Sequence, residues 1–243
     1  SMYSVIHEGG HAIYELNIGD DLIGTTMAGG ASMGIHESQS RFYENIIGRS
    51  EAFISLIFSK IKELFPEQFE NVSAHDFYLA VNKAEPSLIR TEADELTYSM
   101  HIMVRYEIEK RLMDGSLSTK DLPNEWNRLY KEYLGIDVPC DSMGCLQDSH
   151  WSGGALGYFP SYSLGSAYGA QFLHKMKQDI DIDKLVSENR IDEVTAWLTE
   201  KIHKYGMLLT PAQLIKNACG EEFNADYYIE YLTEKYNKIY ELK

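Results

Sequence analysis

Apolar residues recur along this chain at helical spacing and seldom alternate. Phe42, Ile46, Phe53, Ile57 and Ile61 fall four or seven residues apart, which predicts one long helix from about His36 to Leu64, stopped by Pro66. A first helix is predicted from about Tyr3 to Leu16. The stretch from Gly19 to Gly34, with Gly24, Gly29 and Gly30 inside it, reads as loop with room for a small β-hairpin. Ser73 with Asp76 three residues on has the form of a capping box opening a short helix to about Lys83. Pro86 opens a further helix that ends near Gly115. A shorter helix is expected over 124–134, closed by Gly135. Residues 136–160 hold Pro139, Gly144, Gly153, Gly154, Gly157 and Pro160, so they read as irregular. Helices resume over 162–178, 190–205, 211–218 and 225–241. No repeat, low-complexity tract or linker interrupts the pattern, so residues 1–243 are expected to form a single helical domain.

Composition narrows the function classes. The chain has 243 residues, 44% of them hydrophobic and 24% charged, enough to bury a core without disulfide staples. Its 22 Lys and Arg against 37 Asp and Glu give a net charge of −15. That balance excludes nucleic acid as the expected partner, because phosphate binding needs clustered cations. Cys140, Cys145 and Cys219 give no disulfide framework and suit a reducing cytoplasm. No apolar run reaches membrane-spanning length, and the N-terminus has no leader-like basic region, so no membrane association is expected. Ser1-Met2 reads as an expression remnant, and the chain as a piece of a longer protein.

The chemistry concentrates near the N-terminus. His7-Glu8-Gly9-Gly10-His11 is an H-E-x-x-H motif. Residues i and i+4 share a helix face, so both imidazoles can reach one cation. Glu8, beside the first of them, is placed to take a proton from an activated water. The glycine pair costs a helix roughly 1–2 kcal/mol in propensity, so something is expected to approach that backbone closely. A hydrolytic zinc site needs a third protein ligand. Glu37, 26 residues after His11, is the candidate, with His36 as the rival. Read without a metal, the histidines are an ordinary helix face and Glu37 an acid favoured by a helix first turn.

Four segments together resemble a known family. They are His7-Glu8-Gly9-Gly10-His11, then His36-Glu37-Ser38-Gln39-Ser40-Arg41, then Ile89-Arg90-Thr91-Glu92-Ala93-Asp94-Glu95. The last is Gly144-Cys145-Leu146-Gln147-Asp148-Ser149-His150-Trp151, running on to Gly157-Tyr158-Phe159-Pro160-Ser161-Tyr162. In this order and spacing they are similar to the M32 metallocarboxypeptidases of the carboxypeptidase Taq type. The resemblance implies an all-α fold, a helical lobe of a two-lobed enzyme similar to neurolysin and angiotensin-converting enzyme. It implies release of single residues from peptides with a free C-terminus. It also implies one divalent metal ion per chain (zinc, with cobalt or manganese as substitutes) and a cytoplasmic homodimer. Carried over, His7, His11 and Glu37 are the metal ligands and Glu8 the general base. Family members are about twice as long, and the half that precedes the H-E-x-x-H motif is not in this sequence. An alternative is therefore a catalytically silent metal-binding piece that needs that half, or an endopeptidase or dipeptidase of similar fold.

The remaining roles follow from what such a reaction requires. A free carboxylate is best recognised by arginine, which nominates Arg90; its plain alternative is a helix-start pair with Asp94. Glu92 and Glu95 are candidate acceptors for a ligand histidine. The developing oxyanion needs donors, for which His150 and Tyr162 are proposed, with Tyr158 on the substrate side. Gln147 and Asp148 are expected to orient neighbours, Asp148 by holding His150 or a ligand histidine. Trp151, Tyr158 and Phe159 could equally be an apolar cluster beneath a loop. His75, His101, His174 and His203 match no motif and read as surface or satisfied core.

Overall fold

A computed structural model describes residues 1–242 of the chain. Among the described residues it is helical throughout, with no strand, as the hydrophobic pattern indicates. The helices are α1 (Met2–Leu16), α2 (Met33–Arg41), α3 (Glu51–Leu64), α4 (Ala74–Val81), α5 (Tyr98–Met113) and α6 (Leu122–Leu134). They continue with α7 (Pro160–Asp179), α8 (Ile182–Ser187), α9 (Ile191–Lys201), α10 (Pro211–Cys219) and α11 (Asp226–Tyr240). The Gly-rich stretch before α2 forms no hairpin; its only regular piece is a 3-10 turn at Asp20–Leu22.

Side-chain caps set most of these boundaries. The Ser32 hydroxyl accepts from the Ile35 N–H and starts α2. Ser73 and Asp76 form the reciprocal box foreseen for α4, and Thr210 with Gln213 forms another at α10. Each satisfies donors that a helix start leaves unpaired.

Three expected helices are corrected. The long helix over 36–64 is broken. After α2 the chain widens into a π segment, Phe42–Ile47, in which the Gly48 N–H reaches back to the Tyr43 carbonyl at 2.8 Å. Ser50 then turns extended, and its hydroxyl accepts from the Phe53 N–H to start α3 afresh. Pro86 opens no helix. Asp94 accepts from the backbone of Glu85 and Thr97 and from the Thr97 hydroxyl, so the segment folds around that carboxylate and α5 begins only at Tyr98. The 190–205 helix stops at Lys201, followed by a 3-10 turn at His203–Tyr205. Helix α8, capped by Asp181, went unforeseen.

Contacts divide the chain into two compact units. One comprises Ser1–Asn82 together with the chain from Leu164 onward, and the other Lys83–Ser163. The first buries Tyr14, Ile35, Phe42, Phe172, Leu198 and Leu214 in its core. The second is built on Val104, Ile108, Trp126, Leu129 and Tyr130, with a smaller cluster around Tyr98, Ile102 and Phe159. His101 and His203 are fully buried, while His75 and His174 lie on the surface.

Candidate metal centre

Helices α1 and α2 meet where neither has bulk. A Cβ on Gly10 would lie 2.7 Å from the Ser40 Cα and 2.9 Å from the Gln39 carbonyl oxygen, so only glycine permits this approach. Gly9 meets nothing within 4 Å; of the two glycines, close approach accounts for Gly10 alone. On the other side of α2, a Cβ on Gly165 of α7 would lie 2.8 Å from the Glu37 Cβ. Glu37 is thereby seated between α1 and α7 and is 3% exposed.

This packing brings a third, sequence-distant donor to the two histidines of α1. His7 Nε2 lies 3.7 Å and His11 Nε2 3.5 Å from the same Glu37 oxygen, Oε2. One donor atom from each of the three residues lies within 4.8 Å of the others. Burial alone would raise the Glu37 carboxyl. Contacts with His11, Arg41 and His7 outweigh that and hold it down at about 2. The site thus offers two imidazole nitrogens and an ionised carboxylate. That donor set suits a divalent cation. Glu8 stands beside His7 on α1, on an exposed position.

The far side of each imidazole is also engaged. His7 Nδ1 lies 2.8 Å from Glu44 Oε2, and Glu44 is in turn 3.6 Å from Arg49. His11 Nδ1 lies 2.7 Å from His36 Nδ1, and His36 Nε2 lies 2.7 Å from Glu15 Oε1. The acceptors expected at Glu92 and Glu95 are therefore Glu44 and His36 instead. His36, the rival candidate for the third ligand, has its ring behind His11. Glu44 was legible in principle, because it follows Glu37 by seven residues, two helical turns.

The other candidates assemble within the second unit. Arg90, 6% exposed, donates to Asp148 from Nε at 3.1 Å and Nη2 at 2.7 Å, and to the Tyr98 hydroxyl from Nη1. Its partner is Asp148, not Asp94. Arg105, fully buried, holds the other Asp148 oxygen at 2.6 Å and also donates to Gln147 Oε1. Burial would raise the Asp148 carboxyl, but the two guanidinium groups keep it below the usual range. His150 lies 3.9 Å from Asp148 and instead pairs through Nε2 with the Tyr162 hydroxyl at 2.9 Å. Burial holds the His150 imidazole below its ordinary pKa. Tyr158 stacks edge-on against Tyr162, and the Arg90 guanidinium lies 4.8 Å from the Tyr162 ring. Glu109 accepts from Trp151 Nε1 and from the Gly157 N–H, tying both ends of the glycine-rich loop. Sequence reasoning missed Arg105 and Glu109, whose charges inside a helix give no signal of a partner some 40 residues on.

The family model for carboxypeptidase Taq (M32) metallopeptidases matches residues 1–236. The chain belongs to the M32 family. Among its relatives, carboxypeptidase 1 of Bacillus subtilis is 50% identical over 99% of this chain. Thermostable carboxypeptidase 1 of Pyrococcus furiosus is 44% identical over 97%. The crystal structure of the M32 carboxypeptidase from Deinococcus radiodurans R1 superposes with a TM-score of 0.96 at 38% identity, covering all of this chain and 49% of that one. The chain spans 48% and 47% of the two curated relatives, about half their length. Membership of a metallopeptidase family implies a divalent metal, and the His7, His11 and Glu37 donors fit one. No helix among the described residues is long and apolar enough to cross a membrane.

Proposed function

We propose that this M32 chain is the metal-binding part of a carboxypeptidase that releases single residues from peptides with a free C-terminus. The observation that carries the reading is the convergence of His7 and His11 of α1 with Glu37 of α2, with Glu8 beside His7 on α1. The relatives named above, each called a carboxypeptidase, support the substrate class.

His7, His11 and Glu37 would hold the ion. When bound, it would polarise the scissile carbonyl and acidify a water. Glu8 acts as general base, taking the proton of the attacking water and passing it to the leaving amine. His150, held below its ordinary pKa by burial, donates from Nε2 to the Tyr162 hydroxyl oxygen, and Tyr162 turns its own proton to the oxygen that gains negative charge. Arg90 anchors the terminal carboxylate through the N–H groups that Asp148 and Tyr98 do not take. The Tyr158 ring flanks the substrate. Zinc as the ion, a cytoplasmic location and a homodimeric state belong to the same reading. Its support is the resemblance and, for the compartment, three cysteines without a disulfide.

Glu8→Gln tests the mechanism, made in this chain and in a chain extended to the relatives' length. Metal binding is expected to persist while peptide hydrolysis falls by about 10²-fold or more. Near-unchanged turnover with metal bound would remove Glu8 from this role. Peptides with an amidated C-terminus should resist; their cleavage would make the protein an endopeptidase.

A further inference from the structure

The two proposed ligand histidines are backed in different ways. His7 leans directly on a carboxylate, Glu44. His11 leans on another imidazole, and only that imidazole reaches a carboxylate. Both ligand rings turn Nε2 toward Glu37, so Nε2 is the nitrogen that must be bare to bind a cation. His11 then carries its proton on Nδ1 and donates it to His36 Nδ1. His36 Nδ1 is therefore an acceptor, which places the His36 proton on Nε2, aimed at Glu15 Oε1. Among neutral imidazoles, one arrangement satisfies both hydrogen bonds, and it is the one a metal requires.

The surroundings hold the relay in place. Glu15 Oε1 also accepts from the Gly30 N–H at 3.1 Å. A Cβ on Gly30 would lie 2.6 Å from the His36 ring, so that ring fills the space a larger residue would take. The Tyr14 ring meets His36 edge-on, with centroids 5.1 Å apart, and the Tyr14 hydroxyl accepts from the Ala31 N–H at 3.1 Å. Glu15 follows His11 by four residues on α1, and His36 stands on α2 beside Glu37. The relay thus joins the same two helices as the ligands.

We propose that His36 and Glu15 are positioning residues that lock the His11 ring and its tautomer for metal binding. The inference rests on the reading of His7, His11 and Glu37 as ligands. Groups that orient a ligand histidine in this way typically govern roughly 10- to 100-fold in metal affinity.

The test is titration of the metal-free chain with Zn²⁺ alone, in competition with a chelator, with far-ultraviolet circular dichroism to monitor folding. His36→Leu is expected to weaken Zn²⁺ binding roughly 10- to 100-fold with helicity retained. His36→Gln offers an acceptor to His11 and a donor to Glu15 and should recover most of that affinity. A general packing effect would not follow this order. Glu15→Ala, at a side chain 46% exposed, guards against misfolding of the leucine variant; it should weaken binding several-fold, and Glu15→Gln should not. Wild-type affinity in both His36→Leu and Glu15→Ala overturns the relay while leaving the ligand assignment intact. If the unsubstituted chain binds no Zn²⁺, the ligand assignment fails and the relay falls with it.

Discussion

One methyl group at position 10 would press the two metal-bearing helices apart. Gly10→Ala places a Cβ 2.7 Å from backbone on α2, and a helix backbone cannot step aside as a flexible side chain can. The substitution is expected to cost about 1–3 kcal/mol of stability, as overpacking does, and to weaken metal binding by moving His11 away from Glu37. Gly9→Ala is the control. Its Cβ meets nothing within 4 Å, so it should stabilise α1 by up to about 1 kcal/mol. Thermal melts of the two variants check both signs. A stable, tightly binding Gly10→Ala would refute the close-approach account. The H-E-x-x-H pattern announces both glycines equally; only the partner helix separates them.

Between residue and fold, the break after α2 decides what surrounds His7. Glu37 on α2 faces its Nε2, and Glu44 in the π segment faces its Nδ1. One continuous stretch of chain therefore addresses both ends of a single imidazole. The hydrophobic spacing from Phe42 to Ile61 runs through the break without marking it, because periodicity records which face is apolar and not which carbonyl each N–H chooses. Ser50 is the element-scale hinge of this arrangement. Ser50→Ala removes the hydroxyl that accepts from the Phe53 N–H at 3.1 Å and should cost about 1 kcal/mol, measured by urea unfolding. An unchanged midpoint would mean that α3 starts without its cap. The loop that replaces the expected Pro86 helix is similar in kind, since Asp94 gathers its neighbours' backbone where a helix start was expected.

At the scale of the molecule, buried histidines set the response to acid. Burial lowers His203 in one unit and His101 in the other from 6.5 to about 3, and the Arg105 and Arg90 guanidinium groups add to the lowering at His101. Between those pH values the unfolded chain binds protons that the folded chain refuses. Stability is therefore full above about pH 6.5 and falls as pH drops toward 3, by roughly 1 kcal/mol per pH unit for each group. Glu37, held at about 2, adds the same sign below about pH 4.5. Unfolding of the metal-free chain at pH 7, 6, 5 and 4 checks this, and His203→Gln should flatten the slope. A midpoint constant across that range would contradict it.

What the amino-acid order determined alone is local: helical class, the reciprocal cap at Ser73, the stop at Gly135, and two histidines one turn apart. These depend on residues within a turn or two, whose separation the helix itself dictates. Tertiary structure alone decided which acid meets those histidines, that His36 stands behind one and Glu44 behind the other, and that Arg90 takes Asp148, 58 residues away, over Asp94. Such pairings depend on how closely helices approach. That approach is settled by contacts such as Gly10 on Ser40 and Gly165 on Glu37, which no spacing rule along a single chain encodes.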